Sequence, residues 1–284
     1  MSSNLAQTPP MGWNSYDCFG VSVREDEVIR NADYMAQHLR PLGWEYIVID
    51  GEWAEPHPIN TVHDQPTSNL NMDDYGRLIP ALNRFPSSAD DKGFKPLADY
   101  LHKKGLKFGI HIMRGIPRQA VTINAPILHT TYCAQDIADT TRTCAWNPDM
   151  YGIDVSHEGG QAYYDSLLQL YASWEVDFIK ADDMISPYHA VEVEALALAV
   201  QRCGRPIVLS LSPGDHLSLE WADHLKRHSH LWRISSDFWD RWDDLHAQFE
   251  RCRQWISHAG PGHWIDADML RLSSCIMKES CICI

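Results

Sequence analysis

Short apolar runs alternate with longer amphipathic stretches along most of the chain. Residues 44–53 (WEYIVIDGEW), 106–113 (LKFGIHIM), 176–183 (VDFIKADD), 205–213 (RPIVLSLSP), 230–237 (HLWRISSD) and 262–269 (GHWIDADM) read as strands, and 9–15 (PPMGWNS) as a first strand. Residues 23–39, 95–104, 159–174, 190–203 and 239–256 carry helical periodicity. Buried strands separated by amphipathic helices predict a parallel sheet, because parallel neighbours need a crossover helix. Seven such strands favour an α/β barrel, with an open doubly wound sheet as the alternative.

A period of two runs inside the strands. Phe178, Lys180 and Asp182 share one face, opposite Ile179 and Ala181. Arg233, Ser235 and Asp237 oppose Trp232 and Ile234, Asp266 and Asp268 oppose Ile265 and Ala267, and His111 opposes Ile110 and Ile112. The apolar faces suit contact with helices, so the polar faces point into the barrel. Polar groups gather at the strand C-terminal ends, where barrel enzymes place their active sites. Two long connections rich in Pro, Asn, Asp and Thr, 54–92 and 114–157, follow the second and third strands and are expected to hang over that end.

Composition narrows the ligand. A formal charge of −14 argues against nucleic acid, which needs basic patches, and disfavours an anionic membrane surface. Eleven Trp and eleven Tyr beside many carboxylates suit a neutral polar ligand with hydroxyls and stackable faces. No run approaches the ~20 apolar residues of a membrane span, and MSSNLAQTPP has no apolar leader core, so a cytoplasmic location is expected. The eight Cys show no C-x-x-C. Cys133 and Cys144 could close a loop, but reduced thiols fit a cytoplasmic protein better.

Six strand ends present chemistry: Asp50, His111, Asp182, Ser212, Arg233 with Asp237, and Asp268. Lys180 could simply pair with Asp182, and Arg233 with Asp237, as buried charges require. Convergence of so many carboxylates instead suggests a divalent metal site, or acid/base and nucleophilic work on a polyol. Metal is the weaker choice: the first strand, GWNSYD, has no His, and the third offers only His111. No metal and no organic cofactor is expected. Glycoside hydrolysis needs two carboxyls and water. A Lys near Asp182 would keep a nucleophile ionised, and Asp183 falls off the inward face. Asp237 should lie about 13 Å of strand rise from Arg233, free to carry a proton.

These residues carry a family resemblance. TPPMGWNSYDCFG, VIDGEW, GLKFGI, DFIKADD, the R-x-x-x-D of RISSDFWDRW, and DADML occur in order from residue 8 to about residue 270 and resemble the α-galactosidase (melibiase) family, glycoside hydrolase family 27. The resemblance implies a (β/α)8 TIM-type barrel and a retaining double displacement on an oligosaccharide or glycoside. It places the nucleophile at Asp182 and the acid/base at Asp237. It further implies sugar contacts from Trp13, Asp50, Lys180 and Arg233, with support from Asp268.

Several positions depart from the family pattern. Gly51, followed by Glu52, stands where a second Asp is common, which bears on recognition of a 6-hydroxyl. His111 replaces a common Tyr, and Ser212 a common Glu near the 2-position. Gln119 and Met184 occupy the places of a family disulfide. α-N-Acetylgalactosaminides or β-L-arabinopyranosides are therefore alternative substrates. After DADML the chain reads RLSSCIMKESCICI, with Cys275, Cys281 and Cys283 close together. The expectation is a catalytic barrel over 8–270, truncated after the seventh strand and lacking the family's C-terminal β-sandwich. Residues 271–284 would be an anomalous tail, and the chain unstable, inactive or merely sugar-binding. The sequence leaves the oligomeric state open.

Overall fold

The structure is a computed structural model that describes residues 4–58 and 69–269. The tail predicted at 271–284, with its three cysteines, lies outside the described residues.

In chain order the first three strands are β1 (Met11–Asn14), β2 (Trp44–Ile49) and β3 (Lys107–Met113), with helices α1 (Tyr16–Phe19), α2 (Glu25–His38) and α3 (Lys95–Lys103) between them. The connection after β3 holds β4 (Ile116–Pro117), α4 (Arg118–Thr122), α5 (Ala134–Ile137), β5 (Ala138–Thr143) and β6 (Met150–Ile153). Then follow α6 (Glu158–Ser173), β7 (Phe178–Asp182), α7 (Ala190–Arg202), β8 (Val208–Leu211), α8 (Ala222–His228), β9 (Leu231–Arg233), α9 (Trp242–Trp255) and β10 (Trp264–Asp266).

Seven strands pair in parallel in the order β1-β2-β3-β7-β8-β9-β10, which is the order in which the sequence presents them. Each crossover returns the chain to the next position, as in a barrel wall. The sheet curls on itself. Tyr46 and Val48 of β2, Phe178 of β7, Val208 of β8 and Leu231 of β9 form one buried cluster with Leu5 and Trp264 against it, whereas a flat sheet would hold β2 and β9 far apart. Gly109 of β3 permits one of these close approaches. A Cβ there would sit 3.0 Å from both Val48 Cγ2 and Phe178 Cβ.

Among the described residues the curl stays open between β10 and β1. Ala6 spans that seam: its carbonyl accepts from the Gly262 amide (2.8 Å) and from Trp264 Nε1 (2.7 Å). Outside the wall, Trp53, Phe85, Phe94, Tyr171 and Trp174 interlock with ring centroids 5.1–6.4 Å apart, mostly edge to face, the favoured geometry for buried rings.

Two expectations change. The connection 114–157 is not an irregular loop, because β4, β6 and β5 form an antiparallel sheet of their own in that order. The strands are also shorter than the apolar runs. β9 ends at Arg233 and β10 at Asp266, so Asp237 and Asp268 sit on the turns that follow.

Candidate active site

A cavity of about 580 Å³ opens at the C-terminal ends of the strands. Asp50, Glu52, His111, Lys180, Asp182, Asp237 and Asp268 line it. Trp13, Ser212 and Arg233 do not. Trp13 and Arg233 line a second cavity of about 250 Å³, which also touches Lys180 and Asp268. Ser212 is fully buried, and its Oγ, like Trp13 Nε1, has no hydrogen-bond partner in the protein.

Asp182 ends β7, beside Met113 of β3. His111, paired across from Lys180 in the ladder, places Nε2 3.2 Å from Asp182 Oδ2. The Asp183 amide donates to Asp182 Oδ1 at 3.0 Å. Burial alone would raise the Asp182 carboxyl. The hydrogen bond from His111 and the charges of Lys180, His111 and Arg233 outweigh it and hold the group well below the usual carboxylate range. Asp182 is thus a buried, ionised carboxylate facing a cavity.

Lys180 makes its direct contact elsewhere. Its Nζ donates to Asp50 Oδ2 at 2.9 Å, and Asn14 Nδ2 donates to the same oxygen at 2.7 Å. Burial opposes ionisation of Asp50, yet Lys180 and His111 bring its carboxyl down to about 2. The expected Lys180–Asp182 pair is therefore a Lys180–Asp50 pair, with Lys180 acting on Asp182 through space.

Asp183 has a different fate. Its backbone is left-handed (φ +60°), and its carboxylate is locked to Arg114 (2.8 Å), which also holds Glu192 (2.7 Å). Tyr164 donates to Glu192 at 3.0 Å. All three charged groups are buried. This triad fixes the turn beyond β7 and keeps Asp183 away from the cavity lining.

On the opposite side, Arg233 Nη2 lies 2.9 Å from Asp237 Oδ1 and 3.1 Å from Asp268 Oδ2. The expected separation of Arg233 and Asp237 fails because the strand stops at Arg233 and the chain bends back. Asp237 is about half exposed at the rim, whereas Asp268 is buried. Burial and the nearby Asp266 outweigh Arg233 and push the Asp268 carboxyl up to about 6. Phe238 donates its amide to Asp268 at 2.7 Å.

Glu52 is also raised, to about 7, by burial and by Asp149. Asn147 donates to it at 3.0 Å. Near neutral pH this carboxyl can therefore donate a hydrogen bond, whereas Asp50 can only accept.

Tyr16, Trp146, Asn147, Asp149 and Trp239 also line the cavity, and strand-end reasoning missed them because Tyr16 opens α1 and the others sit on connections. The available signal was the Trp, Asn and Asp content of 146–149 inside a long connection. Among the described residues, the two clusters with metal-ligand spacing lie outside this cavity. Cys133 and Cys144 are both free thiols, and no helix is long and apolar enough to cross a membrane.

The chain matches the family described as Alpha galactosidase A (Melibiase_2) over residues 8–157 and 139–279. It belongs to this family. It is 32% identical over 276 residues to an alpha-galactosidase of Cyamopsis tetragonoloba, covering 96% of this chain and 54% of that protein. Against alpha-galactosidase A of Cellvibrio japonicus the identity is 31%, covering 97% and 57%. The fold superposes on a GH27 β-L-arabinopyranosidase from Geobacillus stearothermophilus, solved in complex with arabinose, with a TM-score of 0.90 and 56% identity over 94% of this chain and 62% of that one. The chain spans a little over half the length of the curated relatives it matches. Among the described residues, the seven parallel strands form part of a barrel wall.

Proposed function

We propose that residues 8–270 carry the catalytic cup of a retaining glycoside hydrolase that releases a terminal galactose-configured sugar from an oligosaccharide or simpler glycoside. The observation that carries this reading is Asp182: a buried carboxylate held ionised by His111 and Lys180 on a cavity wall, with a second carboxyl, Asp237, at the rim. An Asp182 oxygen attacks the anomeric carbon as the glycosidic C–O bond breaks, and Asp237 gives its proton to the leaving oxygen. Water then attacks the glycosyl ester, Asp237 takes the water's proton, and Asp182 leaves as carboxylate. Both steps pass through an oxocarbenium-like state, which the surrounding negative charge stabilises. Asp50 accepts from the sugar hydroxyls, and Arg233 and Asp268 position Asp237. The free thiols among the described residues suit a reducing compartment such as the cytoplasm.

A second reading concerns the sugar. A β-L-arabinopyranoside has the galactose arrangement of hydroxyls without the exocyclic CH2OH. Gly51 supplies no carboxylate for a 6-hydroxyl, and the neighbour of 56% identity is a β-L-arabinopyranosidase. Nitrophenyl α-D-galactopyranoside, α-N-acetylgalactosaminide and β-L-arabinopyranoside, offered to the full chain, decide between them. Release from the first or third with retained anomeric configuration by NMR is expected. Inversion defeats the mechanism, and tight sugar binding without release of any leaving group defeats the enzymatic reading.

A further inference from the structure

The outer helices hold a second convergence of ligating side chains, away from the proposed catalytic cup. Glu194 of α7 and His224 and His228 of α8 bring one carboxylate oxygen and two imidazole nitrogens within 4.8 Å of one another. The two histidines are four residues apart on one helix and so share a face. Their ring centroids are 4.4 Å apart. His224 Nε2 lies 3.0 Å from Glu194, and its Nδ1 lies 2.7 Å from the Tyr188 hydroxyl. Tyr188 is itself fixed by stacking on Trp221 at 4.1 Å and 8°.

A simple Glu–His pair accounts for His224 but not for His228. The second ring is instead held against the first, with its nitrogen at the same convergence as the Glu194 carboxylate. The other cluster with metal-ligand spacing, Asp99, His102 and Glu175, differs in kind. Its single histidine lies between two carboxylates, Glu175 (3.2 Å) and Asp177 (2.7 Å), which can only accept, so neither can release a ring nitrogen by rotating a proton as a hydroxyl can, and Lys95 competes for Glu175 at 3.2 Å.

We propose that Glu194, His224 and His228 bind a divalent transition metal, with Zn(II) the best match to a two-imidazole, one-carboxylate set whose fourth position takes water. Tyr188 serves as the outer partner of the ligating ring. Without metal, the proton on His224 Nε2 can face Glu194 while the Tyr188 hydroxyl donates to Nδ1. With metal, the proton sits on Nδ1 and is donated to the Tyr188 oxygen, so Nε2 and Glu194 both turn to the ion. The hydroxyl serves either tautomer by rotating. Such an ion would tie α7 to α8. Through Tyr188, bridged to Ile185, it would also tie both to the turn that follows Asp182. Its role is structural, because none of its ligands lines the catalytic cavity.

The test is titration of the chelator-treated full chain with Co(II) and Zn(II), read by calorimetry, Co(II) visible absorption and Tm. One equivalent should bind, with the intense visible bands of low-coordinate Co(II) and a rise in Tm. Glu194→Gln and His228→Ala should abolish the bands, Tyr188→Phe should weaken binding about tenfold, and His102→Gln should change nothing. Glu194 is exposed, so its variant keeps the test meaningful should His228→Ala fold poorly. Absence of saturable binding, or binding that Glu194→Gln leaves intact, overturns the proposal; the second result would place the metal elsewhere, for example on cysteines.

Discussion

One nitrogen of Arg233 serves Asp237 at 2.9 Å and Asp268 at 3.1 Å. An acid catalyst has to carry a proton, and an arginine in contact with it opposes that. Sharing is the structural answer, since the charge of Arg233 is divided with a second carboxylate. Asp268→Asn removes the competitor and leaves Arg233 to Asp237 alone. Turnover of glycosides with poor leaving groups, which depend on the proton from Asp237, should then fall, with nitrophenyl glycosides largely spared. Equal rates for variant and wild type on both kinds of substrate would remove Asp268 from this role.

Asp182→Asn keeps the shape of the β7 end and removes the nucleophile. Turnover of every glycoside should fall by at least roughly a thousandfold, with sugar binding retained in calorimetry. Asp237→Asn should cost about 10²–10⁴-fold in kcat for substrates with poor leaving groups, and much less for nitrophenyl glycosides, whose leaving oxygen needs little proton donation. Equal losses across leaving groups would assign the proton to another residue.

Glu52 should make stability fall as pH rises. Its carboxyl is raised from 4.5 to about 7, so its contribution is full below about 4.5 and is lost as pH climbs through 7. Glu52→Gln keeps the group neutral throughout. Urea melts should show the variant more stable at pH 8 by about 1–3 kcal/mol, from ~1.4 kcal/mol per unit, and close to wild type at pH 4.5. Asp50 has the opposite sign. Lowered to about 2, it stabilises above its usual range and loses that contribution as pH falls through 2.

Gly51 is a specificity test with little folding risk. A Cβ there would meet His111 at 3.6 Å, an ordinary contact. Gly51→Asp adds an acceptor where the family commonly has one. The ratio of kcat/KM for galactoside over arabinopyranoside should rise by about 10-fold or more, the value of one charge-assisted hydrogen bond. An unchanged ratio would show that position 51 does not face the exocyclic carbon.

Fold order was open in the sequence because each wall strand is an apolar run with period-two polarity, and each crossover is a helix of ordinary length. Period two also exposed His111, Lys180 and Asp182, which lie within strands whose alternation is real. It failed at Asp237, because LWRISSD keeps alternating after the hydrogen-bonded ladder has ended at Arg233. Pairings such as Lys180–Asp50, separated by 130 positions, have no local signature. The sheet of β4, β5 and β6 was hidden for another reason: ADTTRT carries no apolar alternation, and four of its six residues are exposed.

The Ala6 carbonyl, caught by both Gly262 and Trp264, gives the start of the chain a mechanical duty at its far end. It fastens β10, the strand that leads into Asp268, to a segment some 260 positions earlier. A fusion partner or cleavage site placed before Gln7 would therefore be felt first at the acid side of the cup, where Asp268 and Arg233 set the surroundings of Asp237, while the Asp182 side, braced by Arg114 and Glu192, would stay as it is.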